Sequence, residues 1–257
     1  MSGTLFLIPN TLDFGVADSE VSLHAVLPLE VIHIAARLTH WAAENAKTTR
    51  AFLKRVDAIQ PLGQALQALQ ITELPRPPKG NASSKDGGGI QQQAWKALLA
   101  PLREGHDMGL ISEAGLPAIA DPGAMLVAAA HAEGIKVQAL SGPSSLLMAL
   151  GASGLNGQSF SFVGYLPIES TERAKRIREL EAQSAKLQQT QLMIETPYRN
   201  EALLQALLSN LRPQTRLSVS CALSLPQGWT RTASVSDWRA KPTAMPDKLP
   251  AVFALLG

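Results

Sequence analysis

The chain has 257 residues, 46% of them hydrophobic and 17% charged, with a formal net charge of +2. That balance excludes a disordered chain and leaves room for one large or two medium domains, each with its own core. The single cysteine, Cys221, excludes an intramolecular disulfide and a cysteine-based metal cluster, and the mild basicity permits a nucleic-acid partner without requiring one.

Residues 4–8 (TLFLI) are a continuous apolar run, as expected of a strand buried on both faces, and end at the polar turn Pro9-Asn10-Thr11. The run is too short for a signal peptide, and no uninterrupted apolar segment approaches membrane-spanning length. A soluble cytoplasmic protein without membrane association is therefore expected. Residues 20–34 read as a helix and then a strand around Pro28. Residues 38–43 (LTHWAA) read as a second buried strand, followed by the polar run Glu44-Asn45-Ala46-Lys47-Thr48-Thr49-Arg50 and a helix over 48–56. Residues 69–74 form a candidate strand that Pro75 ends, and residues 81–89 have loop composition. Gly87-Gly88-Gly89 lacks the preceding strand and the closing Gly-Lys-Ser/Thr of a phosphate loop. An amphipathic helix is expected over 90–104, with Ile90, Ala94, Ala97, Leu98 and Pro101 or Leu102 on one face.

The informative stretch comes next. Residues 108–111 read as a strand, residues 112–123 (SEAGLPAIADPG) as a loop of small residues with two carboxylates, and residues 124–130 as a helix that Gly134 stops. A strand, a small-residue loop and a helix start form the place where open α/β sheets bind ligands. An ordinary strand–helix connection accounts for the same residues about equally well. Residues 135–140 repeat the pattern: a strand, then Ser141-Gly142-Pro143-Ser144-Ser145, then a helix over 146–152 that Ser141 or Ser144 caps. These closely spaced units predict a mostly parallel sheet.

Beyond a Gly-, Ser- and Asn-bearing stretch at 151–158 the composition changes, which places a boundary between domains 1–152 and 153–257. Strands are expected at 160–165, 191–195, 217–223, 229–236 and 251–256, and helices at 169–186 and 200–211. Sequential strands here would pair antiparallel, giving an α+β half with a mixed sheet. Arg173, Lys175, Arg176 and Arg178 cluster on the first of these helices, most simply as a solvated face, with a nucleic-acid contact the lesser reading. The five histidines show no HxH or HxxxH spacing, so no metal site is expected. Glu113 and Asp121 lack the aromatic surroundings of a glycosidase pair, and Ser144 lies outside a G-x-S-x-G nucleophile elbow.

Residues 112–123 resemble the S-D-A-G-T-P-x-I-S-D-P-G signature of the tetrapyrrole methylase superfamily. Four further stretches match in order: LFLIPNTLD, HWAAENAKTTRAFL, LSGPSSLLMALGASGL, and FVGYLP followed by MIETPYR. They resemble the ribosomal RNA small-subunit methyltransferase I branch, which methylates a cytidine ribose 2′-oxygen. The resemblance implies a class III methyltransferase-like fold of two α/β domains, with S-adenosylmethionine in the interdomain cleft and usually a homodimer. Ribosomal RNA or the small-subunit particle is the implied partner. The implied donor-binding residues are Ile8, Pro9, Gly115, Leu116, Pro117, Ile119, Ser144, Ser145, Met193, Ala222 and Pro250. Glu44, with Lys47 and Arg50, is the candidate for acceptor deprotonation and positioning, although a surface helix start accounts for all three equally. The chain departs from the branch at Asn45-Ala46-Lys47, at Leu116 and at Tyr198, where the family has Asp-Thr-Arg, Thr and His. Two other readings stay open: a tetrapyrrole-type small-molecule methyltransferase, and a donor-binding relative without catalysis.

Overall fold

Side chains of Thr4–Ile8 (β1) alternate between two cores: Leu5 enters one, and Phe6 and Ile8 the other. This is why the strand reads as a continuous apolar run. The computed structural model describes residues 2–13, 21–75 and 87–257, and the chain divides into two units, Met1–Pro143 and Ser144–Gly257.

In the first unit, His40–Ala43 (β2), Gln70–Glu73 (β3), Met108–Ile111 (β4) and Lys136–Ala139 (β5) join β1 in the order β3-β2-β4-β1-β5. Every pairing is parallel. Leu29–Arg37 (α1) and Ala46–Asp57 (α2) supply Val31, Ile32, Phe52 and Leu53 to the core that holds Phe6 and Trp41. Gly87–Ala97 (α3), Ala100–Arg103 (α4) and Ala124–Ala132 (α5) supply Trp95, Leu102 and Leu126 to the core that holds Leu5 and Leu110. Helices thus cover both faces, and the carboxyl ends of β1, β2 and β4 lie side by side.

Two expectations change here. Residues 29–37 are helical, not a strand after Pro28. Val31, Ile32, Ala35 and Ala36 are all buried, and this helical spacing overrides the β-preference of Val31, Ile32 and Ile34. The helix expected over 90–104 is two helices, because Pro101 can sit in a first turn but not inside a continuous helix. Its buried face is Trp95, Leu99 and Leu102, and Ala97 is exposed. Most of the loop expected at 81–89 lies outside the described residues, as does the Ile90 side chain; Gly87, Gly88 and Gly89 open α3.

In the second unit, Ser145–Ser153 (α6) precedes Phe160–Phe162 (β6), Ser170–Leu187 (α7), Thr190–Ile194 (β7), Asn200–Asn210 (α8), Arg216–Cys221 (β8), Trp229–Ser234 (β9), Val235–Ala240 (α9) and Ala251–Leu256 (β10). The sheet order is β6-β7-β10-β8-β9. Only β6 and β7 pair in parallel, so the sheet is mixed. Of the sequential strands, β8 and β9 form the expected antiparallel pair, whereas β7 and β8 are separated by β10. The unit begins before α6, not after residue 152. Leu146, Ala149 and Leu150 of α6 pack with Leu192, Val252 and Ala254, so the helix shares the core of the second sheet.

Candidate functional site

The loop at residues 112–115 is held from two sides. Asn10, just past β1, forms a two-way backbone bridge with Gly115: Asn10 N donates to Gly115 O at 2.9 Å, and Gly115 N to Asn10 O at 3.2 Å. The buried Asn10 side chain donates to Ser112 O at 3.2 Å and Glu113 O at 2.9 Å, and accepts from Thr11 N at 2.9 Å. From the other side, Glu44 at the end of β2 donates its N–H to Ile111 O at 3.1 Å, and its Oε2 accepts from Glu113 N at 3.0 Å. Gly115 has φ +66°, a conformation that side chains disfavour. Ser112 is 3% exposed and its Oγ has no hydrogen-bond partner among the described residues, a buried polar atom that a ligand would satisfy.

Three carboxylates gather around this loop. Burial raises Glu44 above the usual carboxylate range, against the lowering effect of the Glu113 N–H bond. Asp121 is pushed up to about 7 by burial first, then by the negative charges of Glu44 and Glu113. Among the described residues none of the three is in an ion pair. The site is therefore electronegative and holds a carboxyl that changes charge near neutral pH, which suits proton transfer or a cationic ligand.

This predicts a pH-dependent stability. An unfolded chain ionises an Asp near about 3.9. Between that value and about 7 the folded protein keeps a proton that the unfolded chain has released, so stability falls as pH rises through the window. Asp121→Asn removes the repulsion. Unfolding in urea should find wild type and variant similar at pH 4, and the variant more stable at pH 8 by about 1–2 kcal/mol after solvent screening. Coincident curves at both pH values would show that Asp121 feels no such repulsion.

The structure sorts the residues singled out from sequence. Ile8, Pro9, Glu44, Gly115, Leu116 and Pro117 lie at the carboxyl ends of β1, β2 and β4, with Ile119 exposed farther along the loop. Gly142 passes over Pro9 so closely that a Cβ on it would stand 2.2 Å from the proline Cβ. Lys47 and Arg50 are exposed on α2, and neither pairs with Glu44. Asn45 caps that helix, accepting from Lys47 N at 2.9 Å and Thr48 N at 3.3 Å. An aspartate would cap equally well, so this departure preserves local structure. Ser144 caps α6, and Ser145 opens that helix. In the second unit, Met193, Ala222 and Pro250 meet at one end of the sheet, with Ala222 N donating to Pro250 O at 2.9 Å. Sequence reasoning missed Asn10 and the coupling of Asp121 to Glu44. A polar residue directly after a buried strand was the available signal for Asn10.

The family model of the tetrapyrrole (corrin/porphyrin) methylases matches residues 38–236. The chain belongs to this family. Over 148 residues it is 45% identical to ribosomal RNA small subunit methyltransferase I of Xylella fastidiosa, a match covering 58% of this chain and 46% of that protein. Over 121 residues it is 40% identical to the protein of that name from Vibrio cholerae, covering 47% of this chain and 41% of that one. The matches thus span less than half the length of these relatives. Two solved methylases share the fold at low identity. The methyltransferase CobJ aligns with TM-score 0.52 and 15% identity over 98% of this chain and 94% of its own. Uroporphyrin III C-methyl transferase from Thermus thermophilus aligns with TM-score 0.52 and 16% identity over 99% and 97%. The matched region includes both the clamped loop and the Glu44 and Asp121 carboxylates.

Proposed function

We propose that this protein is an S-adenosylmethionine-dependent methyltransferase acting on RNA, at a ribose 2′-oxygen of ribosomal RNA. The observation that carries the reading is the clamped 112–115 loop, with its left-handed Gly115 and unsatisfied Ser112 Oγ, in a chain of this family. The names of the curated relatives support the RNA acceptor. A cytoplasmic homodimer is part of the same proposal.

The residues fit the donor. Gly115, Leu116 and Pro117 offer backbone and apolar surface, and Ser112 Oγ offers a buried hydrogen-bonding group. When bound, the donor supplies an electrophilic methyl on a positively charged sulfur that leaves neutral. The chain's task is then alignment and exclusion of water. Glu44 accepts the proton of the acceptor hydroxyl, and its fixed bond to Glu113 N sets where its carboxylate stands. Burial first, and then the Glu113 charge, make Glu44 more basic, and the Glu44 charge in turn raises Asp121. The two titrate as a coupled pair.

Calorimetry tests the cofactor directly. Wild type should bind S-adenosylmethionine at about micromolar affinity, in the usual range for enzyme ligands. Gly115→Trp, which forces a side chain onto a left-handed residue 3.3 Å from Leu12, should abolish the binding. Ile119→Asp alters an exposed side chain and leaves the clamp intact, so it should weaken binding without unfolding the protein. Transfer of labelled methyl to small-subunit ribosomal particles then tests the acceptor. Natively folded wild type that binds no donor would overturn the proposal.

A further inference from the structure

The second unit exposes two tyrosines that the chemistry above does not use. Tyr198 is 77% exposed, yet it is not a loose side chain: the Arg199 guanidinium lies 5.3 Å from its ring centroid. Arg199 is in turn held by Glu195, which is buried and accepts from Arg199 Nε at 3.0 Å and Nη2 at 2.8 Å. The same carboxylate oxygen accepts from Thr196 N at 2.7 Å. A buried carboxylate thus fixes a guanidinium, and the guanidinium supports an exposed ring.

A second exposed ring leaves the neighbouring strand end. β6 and β7 are parallel partners, and Ile194 N donates to Gly164 O at 3.2 Å just beyond them. Tyr165, 56% exposed, follows Gly164, as Glu195 follows Ile194. Both aromatics therefore emerge from the carboxyl ends of adjacent strands, at the end of the sheet where Met193 and Pro250 lie. Arg173 stands in the opening turns of α7, which begins just past β6. Its buried Nε has no hydrogen-bond partner among the described residues.

We propose that Tyr198 and Tyr165 form a stacking platform for unpaired bases of an RNA, with Arg199 positioned by Glu195 as its support and Arg173 as a phosphate contact. The proposal rests on the RNA methyltransferase reading and extends it to an RNA-holding surface on the second unit. The chemistry favours a nucleobase. Tyr198, with the Arg199 guanidinium against its ring, and the exposed Tyr165 present aromatic surface suited to any base, and the Arg173 cation matches the phosphodiester. An apolar protein partner would gain nothing from the buried Glu195–Arg199 pair beneath the ring.

The test is anisotropy of a fluorescein-labelled single-stranded RNA of about 12 nucleotides, within the usual site size for such surfaces. A second strand of equal length has abasic central nucleotides. Wild type should prefer the intact strand by about 10-fold or more, the effect of one stacked base. Tyr198→Ala and Tyr165→Ala should each remove most of that preference, and Tyr198→Phe should keep it. Arg173→Gln should weaken both strands alike and reduce the salt dependence. Donor binding, measured separately by calorimetry, should be unchanged in every variant. The platform is overturned if wild type binds neither strand, binds both equally, or keeps its preference in the alanine variants. It is also overturned if Tyr198→Ala dissociates a dimer in sedimentation while RNA affinity stays constant, since the ring would then be an interface between copies. Loss of donor binding in wild type would sink the methyltransferase reading and leave the base preference to be judged on its own.

Discussion

Asn10→Ala is expected to lower the free energy of unfolding by about 2–4 kcal/mol, at roughly 1 kcal/mol for each of three buried hydrogen bonds lost. The amide joins Ser112 O and Glu113 O, more than a hundred residues away, to the neighbouring Thr11 N, and Asn10 is 5% exposed. Water cannot easily replace it, so the two carbonyls and the N–H stay unsatisfied. The loop should loosen as well, with faster hydrogen exchange at Glu113 and Gly115 and weaker donor binding. Asn10→Asp should be worse at neutral pH, because a carboxylate has no N–H to give and would face two carbonyl oxygens near Glu44. Urea unfolding of both variants at pH 5 and pH 8 checks this. A cost below about 1 kcal/mol for Asn10→Ala would show that the backbone bridge to Gly115 holds the loop without the amide.

Glu44→Gln is expected to slow methyl transfer by about 10²–10⁴-fold, the usual contribution of a positioned general base. The variant is informative because glutamine retains an oxygen that can accept from Glu113 N, so the loop keeps its clamp while the charge is lost. Donor affinity should stay near wild type. Glu44→Ala removes both functions and should lose donor affinity too. The wild-type rate should rise with pH as Glu44, held above its ordinary value by burial, loses its proton and becomes able to take one. Single-turnover assays across pH 5.5–9 on wild type and both variants make the comparison. A Glu44→Gln rate within a few-fold of wild type would assign the proton transfer elsewhere.

Much of the architecture was legible in local patterns. The continuous apolar run at 4–8 identified a strand covered on both faces, and the strand expected at 108–111 and the helix expected at 200–211 both form. Misreadings occurred where two local signals conflict. Val31, Ile32 and Ile34 favour strand by residue type but helix by spacing, and burial of a helical face decided between them. Pro101 inside an amphipathic pattern split a helix that periodicity alone had joined.

The site divides in the same way. The small-residue loop, the Gly115 turn and Glu44 at a strand end could be read in the chain, because each rests on neighbours a few residues away. The family motifs are contiguous for the same reason. Glu44 meeting Glu113 across 69 residues, and Asn10 meeting Ser112 across 102, could not be read, since nothing local to either partner specifies the other. The elevated Asp121 carboxyl is likewise a product of burial and of the Glu44 charge that the fold brings to it. The place of β10 between β7 and β8 is decided by which edges remain open once the rest of the sheet has formed. Sequence determines periodicity, turns and caps because these depend on short-range sterics and hydrogen bonds. Strand order, buried charge and the joining of remote loops depend on packing that exists only when the whole chain has folded.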